Sequence, residues 1–108
     1  MANTFKLKTK ANVGVTTVGI YTAPASTTTV VIGITMANTS GSGVNVGVGI
    51  TRASQEDIKL LKNAPLPQGS SLEFMAGNKI VLETTDTITV DSDTNNSVDA
   101  ALTIMEIT

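Results

Sequence analysis

The chain of 108 residues contains no cysteine, no histidine and no tryptophan, and these absences exclude much of enzyme chemistry. Without cysteine there are no disulfides, no thiolate zinc sites and no thiol nucleophile. Without histidine the chain lacks the usual general base and the commonest ligand of transition metals. We therefore expect a protein that is not an enzyme, with no catalytic residues, no cofactor and no bound metal.

Charge and aromatic side chains are also scarce. Seven basic and nine acidic residues give a net charge of -2, and Arg52 is the sole arginine. Such a chain offers no basic surface for counterion release from nucleic acid and no aromatic platform for stacked bases. No apolar run is long enough to span a bilayer, and the first residues, MANTFKLKTK, do not form a secretory signal. We expect neither nucleic acid nor membrane as a partner.

What the sequence has in abundance is β-branched residues: 18 Thr, 11 Val and 9 Ile among 108 positions. Branched side chains favour the pleated sheet over the helix. Short alternating segments separated by turn residues predict about eight strands in an all-β fold. We expect residues 1–108 to form a single compact antiparallel β-sandwich, jelly-roll-like, with residues 1–10 as an amino-terminal arm or edge strand.

Two local predictions concern how the strands connect. The segments 28–37 and 44–51 both alternate, and the Asn-Thr-Ser-Gly-Ser-Gly run between them predicts a turn, so we expect them to pair as a central hairpin. Residues 54–63 fit either a helix opened by a capping box at residues 54–57 or a strand from Asp57 to Lys62 that runs into a loop at Pro65 and Pro67. The strand is favoured because the rest of the chain is β.

The first strand has two unlike faces, with Phe5 and Leu7 on one and lysines on the other. The usual role of a lysine row is a solvated edge that discourages strand pairing, and the alternative is an arm that docks on an acidic neighbour. The last strand is apolar on both faces, which predicts a homo-oligomer, a trimer in the first instance, or incorporation into a larger assembly. The candidate partner interface comprises Lys6, Lys8, Lys10, Met105 and Ile107.

The segment from Asp91 to Asn96 places oxygen ligands at alternate positions, as calcium loops do. It lacks the glycine expected at its sixth position, and Leu102 stands where a bidentate glutamate would be needed. A solvated turn is the favoured interpretation, and an ion at Asp91 and Asp93 is the alternative.

Several segments resemble a family of small virion structural proteins encoded by tailed phages, notably cyanophages and other marine phages. The resemblance lies in the run from Lys62 to Phe74, in Gly77-Asn78-Lys79-Ile80-Val81-Leu82-Glu83, and in the ending Val98 to Thr108. One departure is that the family tends to place glycine before the aspartate ahead of the late Ile-x-Val strand, where this chain has Thr84-Thr85-Asp86. That departure leaves the type of this turn open.

The resemblance implies a β-sandwich that serves as a component of a phage particle, located on the virion and assembled in the host cytoplasm. The first expectation is a capsid decoration (cement) protein that binds itself and other virion proteins, above all the major capsid protein. A neck, tail or baseplate component is the alternative, and a receptor-binding or carbohydrate-binding module is a third. No catalytic residues are implied.

Overall fold

Alternation of apolar and polar side chains produces strands along the whole described chain. The computed structural model describes residues 3–52, 56–74 and 79–108, with only the backbone of Phe74. The strands are β1 (Asn3–Val13), β2 (Val18–Thr22), β3 (Thr28–Asn38), β4 (Val44–Thr51), β5 (Ile58–Leu66), β6 (Ser71–Phe74), β7 (Ile80–Leu82), β8 (Thr87–Ser92) and β9 (Val98–Ile107). Among these residues there is no helix long and apolar enough to cross a membrane.

The strands form two antiparallel sheets. In sheet A the order is β1-β9-β3, and β6 and β7 both pair with the far side of β3; in sheet B the order is β2-β8-β4-β5. The pairs are nested in sequence: β1 with β9, β2 with β8, β3 with β6 and β7, and β4 with β5. A long hairpin rolled over itself in this way is a jelly roll. The prediction of an all-β sandwich is confirmed.

The core lies between the sheets and consists of the inward-facing residues of the central strands. Along β9, buried residues alternate with more exposed ones over its whole length. Ile34, Leu102 and Ile104 of sheet A and Ile88 and Val48 of sheet B are all at most 1% exposed. Burying one such side chain contributes about 1.5–3 kcal/mol, so this shared layer of aliphatic side chains holds the sheets together.

The prediction that residues 28–37 and 44–51 pair as a hairpin is wrong, because β3 belongs to sheet A and β4 to sheet B. Asn38, buried at the end of β3, directs the crossing. Its side-chain amide donates to the carbonyl oxygens of Ser42 at 2.8 Å and Leu66 at 2.9 Å. Its Oδ1 accepts from the backbone N–H of Ser40 at 2.8 Å. These bonds hold a corner, so the two apolar faces meet across the core.

The strand interpretation of residues 54–63 is confirmed for its described part, since β5 runs from Ile58 to Leu66. Ser54 and Gln55 of the alternative capping box, and Gly77-Asn78 of the resembled segment, lie outside the described residues. Pro65, predicted to lie in a loop, instead forms part of β5. A proline is tolerated there because β5 is the edge of sheet B, where a backbone N–H is not needed for a second neighbour.

The glycines of β4 lie where the backbone of β5 leaves no room for a Cβ atom. A Cβ at Gly49 would stand 2.8 Å from the carbonyl oxygen of Ile58, and one at Gly47 would stand 3.2 Å from that of Leu61. The register of β4 with β5 shifts twice along this stretch. These glycines therefore let the β5 backbone approach β4 closely, as glycine inside a strand often does.

This close approach predicts opposite effects for two glycine substitutions. Gly49→Ala should lower the free energy of unfolding by about 1–3 kcal/mol, because the carbonyl of Ile58 is backbone that must shift. Gly33→Ala, in β3, meets no heavy atom within 4 Å and should be neutral or raise stability by about 0.5–1 kcal/mol. Urea unfolding at low protein concentration measures both, and equal losses in the two variants would contradict the explanation.

The turn before β8 is unusual because Thr85 adopts a φ of 71°. This is the position at which the resembled family tends to carry glycine, and a β-branched residue in the left-handed region is strained. The turn is held by the N–H of Thr85 donating to Ala23 O at 2.9 Å and by that of Asp86 donating to Glu83 O at 3.0 Å.

Replacing Thr85 by glycine should relieve the strain. Thr85→Gly is expected to raise the free energy of unfolding by roughly 0.5–1 kcal/mol, the left-handed penalty less the entropy cost of glycine. Thr84→Gly, at the preceding position and without a positive φ, should lower it by a similar amount. Thermal or urea unfolding of both variants provides the measurement. A loss in Thr85→Gly equal to that in Thr84→Gly would refute the strain.

Candidate interaction surface

The first strand presents its apolar side chains away from the core. Phe5 and Leu7 are 67% and 65% exposed. Their partners across the ladder are Met105 and Thr103, which lie on the outward side of β9. The alternation read from the sequence is confirmed, and the structure shows that its apolar face is the outer one.

The outer face of sheet A is formed by the outward residues of β1, β9, β3 and their neighbours. One row runs across four strands through Phe5, Met105, Val30 and Val81. Val81 is 56% exposed, whereas Met105 and Val30 are half-buried. Of the five large apolar side chains that are exposed in the described residues, three lie on this face: Phe5, Leu7 and Val81.

The other end of the same face is lined by small side chains. Beyond the row of Leu7, Thr103 and Gly33, the next outward row is Thr9, Ala101 and Thr35. Here the surface forms an open depression of about 340 Å³, lined by Thr9, Ala11, Thr35, Ala37, Ala100 and Ala101 together with the charged residues Lys10 and Asp99. The outer face of sheet A therefore has a bulky half and a hollow half.

The lysines of β1 point to the inward side of the sheet. Lys6, Lys8 and Lys10 stand opposite Ile104, Leu102 and Ala100, which are all buried. At the open edge of the sandwich, Lys6 Nζ lies 2.8 Å from Glu106 Oε1. The interpretation of the whole row as a plain solvated edge is therefore wrong for Lys6, which forms an ion pair with a buried carboxylate.

Glu106 is the centre of a buried polar cluster. The Tyr21 hydroxyl donates to Glu106 Oε2 at 2.6 Å. Since that hydroxyl has one proton, the Thr29 hydroxyl, 2.7 Å away, donates to the phenolic oxygen. No buried side-chain oxygen or nitrogen in the described residues is left without a partner. The cluster joins β1, β2, β3 and β9 at one end of the sandwich.

The cluster shifts two ionisation equilibria. Hydrogen bonds from Lys6 and then Tyr21 hold the pKa of Glu106 below its ordinary value. Burial, followed by the hydrogen bond to Glu106, raises the pKa of Tyr21 to about 12. The carboxylate is thus stabilised in its ionised form and the phenol in its neutral form.

The lowered pKa of Glu106 makes the free energy of unfolding depend on pH in the acidic range. Because the folded-state pKa of Glu106 lies below the ordinary 4.5, its contribution is present above that pH and is lost as the pH falls through the folded pKa. At neutral pH, Glu106→Gln should lower the free energy of unfolding by about 1–2 kcal/mol, since a charge-assisted hydrogen bond is lost. Urea titrations of wild type and variant should show this gap narrowing in acid.

Glu73→Gln is the matched control, because Glu73 is exposed on β6. It should follow the wild type closely at neutral pH and in acid. A gap between Glu106→Gln and wild type that is the same at every pH would contradict the role given to the carboxylate.

The outer face of sheet B differs in chemistry from that of sheet A. On β2, β4 and β8 its outward positions carry threonine, glycine, asparagine and aspartate. Thr22 and Thr87 share a hydrogen bond of 2.8 Å between their hydroxyls, and the Thr17 hydroxyl donates to Asp91 Oδ2 at 3.1 Å. One sandwich therefore has a polar outer face and an apolar one.

The aspartates of the calcium-like segment are engaged by protein groups. Asp91 also lies 3.8 Å from Lys59 Nζ, and Asp93 Oδ1 accepts from the N–H of Asn45 at 3.1 Å. Within the described ranges no three acidic side chains gather as they would around a metal ion. The segment acts as a link between β8 and β4, and an ion there stays a prediction.

A second depression, of about 300 Å³, lies at the end of the sandwich beside Arg52 and Asp86. Asp86 is 5% exposed. It accepts from Arg52 Nε at 3.1 Å and from the N–H of Glu83 at 3.0 Å. One carboxylate oxygen thus holds the turn before β8 and the other holds Arg52, which is a structural role.

The structure divides the predicted partner interface between two surfaces. Met105 and Ile107 belong to the outer face of sheet A, whereas Lys6, Lys8 and Lys10 lie on the opposite side of β1. Sequence reasoning missed Phe5, Leu7 and Val81 as interface candidates. The alternation of β1 carried a signal for the first two, but alternation alone does not say which face is outside.

No protein-family model matches the chain, and no curated protein matches it. Solved structures do resemble it. A chain from "Bacillus endospore appendages form a novel family of disulfide-linked pili" aligns with a TM-score of 0.60 at 14% identity, covering 99% of this chain and 87% of that one. This chain contains no cysteine, so a disulfide link is not open to it.

Two virus particle structures share the fold as well. A chain of the T13 particle of infectious bursal disease virus aligns with a TM-score of 0.60 at 13% identity, over 96% of this chain and 30% of that one. A chain of the Gx strain of that virus aligns with a TM-score of 0.51 at 12% identity, over 95% and 32%. The present chain spans about a third of the virus proteins. At these identities the likeness shows the β-sandwich fold.

Proposed function

We propose that this protein is a non-enzymatic structural component of a phage virion, and specifically a capsid decoration (cement) protein that binds neighbouring capsid subunits. It would be located on the virion after assembly in the host cytoplasm. The observation that carries the proposal is the outer face of sheet A, where Phe5, Leu7 and Val81 are more than half exposed around half-buried Met105 and Val30. A contiguous apolar face of this kind marks a protein–protein interface.

The chemistry of the chain supports an assembly role over a catalytic one. The sequence has neither histidine nor cysteine. The buried carboxylates Glu106 and Asp86 are each fixed by neighbours on the same chain. The resemblance to small phage virion proteins is the reason for proposing a phage particle as the assembly. The fold is one that virus particle proteins also use.

The free edge of β1 supplies the contact for the capsid, separate from the apolar face. Lys8 and Lys10 lie along this edge. In the described part of the chain neither has an ion pair, whereas Lys6 is paired with Glu106. Two cations at an open strand edge suit an acidic strip on a capsid subunit. In this proposal that subunit is the major capsid protein, the partner implied by the resemblance.

Co-sedimentation with emptied phage heads and with isolated tails tests the proposal. The protein should be retained on heads. Lys8→Gln combined with Lys10→Gln should weaken retention by roughly 2- to 10-fold and flatten its salt dependence, since two exposed ion pairs are lost. Lys62→Gln with Lys79→Gln, which changes the net charge equally at exposed positions elsewhere, should leave retention unchanged.

Retention on tails and not on heads would overturn the decoration role. If the Lys8 and Lys10 variant binds heads as tightly as the wild type, the β1 edge is not part of the capsid contact. An equal loss in the Lys62 and Lys79 control would show that net charge, and no particular edge, governs binding.

A neck, tail or baseplate component is the second candidate. It is favoured by the likeness to a chain of a bacterial appendage, which extends over nearly the whole of both chains. Retention on tails alone would select it. A receptor-binding or carbohydrate-binding module is less well supported, because Tyr21, the sole tyrosine, is buried and bonded to Glu106.

A further inference from the structure

We infer that the outer face of sheet A binds a second copy of this chain through a two-fold, face-to-face contact in which the bulky half of each copy fills the hollow half of the other. The inference rests on the proposed assembly role and deepens it, because it names the first partner of that face. The arrangement departs from the trimer expected from the sequence.

The argument begins with symmetry. A two-fold contact is self-complementary, so any feature on the surface must meet its complement on the same surface. The row of Phe5, Met105, Val30 and Val81 lies on one side of the row formed by Leu7, Thr103 and Gly33. The row of Thr9, Ala101 and Thr35 lies on the other side. Consider a two-fold axis that runs along the middle row and lies midway between the facing A sheets of the two copies. Rotation about this axis places the bulky row of one copy over the small row of the other.

The volumes agree with that exchange. A closed cavity of about 150 Å³ accommodates a benzene ring, and the open depression of the hollow half has a volume of about 340 Å³. It therefore has room for the ring of Phe5 together with neighbouring aliphatic atoms. With the axis on the middle row, Phe5 lies over Thr9 of the second copy, and Met105 lies over Ala101 of that copy.

The available area is sufficient for a stable pair. Strands spaced about 4.8 Å apart and rising about 3.3 Å per residue give a face of roughly 600 Å² for four strands of this length. Two such faces bury roughly 1,200 Å², which is the lower limit for a specific interface.

The charges also favour a like partner. On the outward positions of β1, β9, β3, β6 and β7 the charged residues described are Asp99 and Glu73, and both lie in the hollow half. The lysines of β1 point to the other side of the sheet. The proposed axis therefore keeps the acidic residues of the two copies apart, because the hollow half of each copy faces the bulky half of the other, whose described outward positions carry no charged side chain.

A residue exchange within β1 tests the contact. The wild type should sediment as a dimer at micromolar concentration. Phe5→Thr removes the bulky group and should raise the dissociation constant at least about tenfold, as truncating a buried aromatic anchor does. Thr9→Phe sets ring against ring and should do the same. The double variant exchanges the two halves and should return to within about threefold of the wild type.

Val15→Thr serves as the control, because Val15 is 56% exposed but lies in the link between β1 and β2. It should sediment as the wild type does. Since Phe5 and Thr9 are both exposed in the single chain, circular dichroism should show all variants folded.

A wild type that is monomeric at high micromolar concentration would overturn the inference, as would a trimer. A double variant no tighter than the singles would overturn the two-fold packing. The capsid experiment fails or succeeds separately. If the protein is a monomer and is retained on heads, only the proposed dimer is refuted. If it is a dimer and is not retained on heads, only the decoration role is refuted.

Discussion

The register of β1 on β9 is the constraint on which the outer surface depends. Side chains alternate between the faces of a strand, so a slip of one residue would move every side chain of β1 to the other face. Such a slip would bring Phe5 and Leu7 inward. The ion pair of Lys6 with the buried Glu106, itself held by Tyr21, fixes the register that leaves them outside. An uncompensated buried carboxylate would make the slipped register costly.

This constraint explains why the protein exposes apolar groups that its own core cannot take up. The interior is already filled by β3, β9, β4 and β8, whose inward residues are almost fully buried. Phe5 and Leu7 are apolar but remain at the surface, because the register of β1 on β9 directs their side chains outward. Because the outer face of sheet B is polar, most of the large exposed apolar side chains of the described residues lie on the outer face of sheet A.

The sequence carries enough information for the strands but not for their partners. Alternation located the segment 44–51 with the bounds of β4 and the segment 28–37 within one residue of β3, because period two is a local property. The pairing of β3 is not local. A turn-rich run after Asn38 looks like a hairpin turn, and only the bonds of the buried Asn38 amide to Ser42 and Leu66 make it a corner between sheets. Leu66 is distant in sequence, so no local pattern shows this contact.

For the same reason, only part of the candidate interaction surface could be predicted from the sequence. The pattern of β1 separates Phe5 and Leu7 from the lysines, but the side that faces the core is decided by Glu106, a partner at the far end of the chain. Val81 joins the surface only because β7 pairs with the early part of β3. A surface assembled across four strands is a property of the topology, and single-strand patterns supply only its pieces.

Edges and faces of the sandwich play different parts in assembly. An open edge invites pairing with another strand and so promotes unlimited growth. Here inward-pointing lysines protect the edge at β1 and Pro65 interrupts the edge at β5. Association is thereby directed to the apolar face, where a two-fold contact closes after two copies. The edges then stay free for a different partner, which is what a protein needs if it is to pair with itself and still bind to a particle.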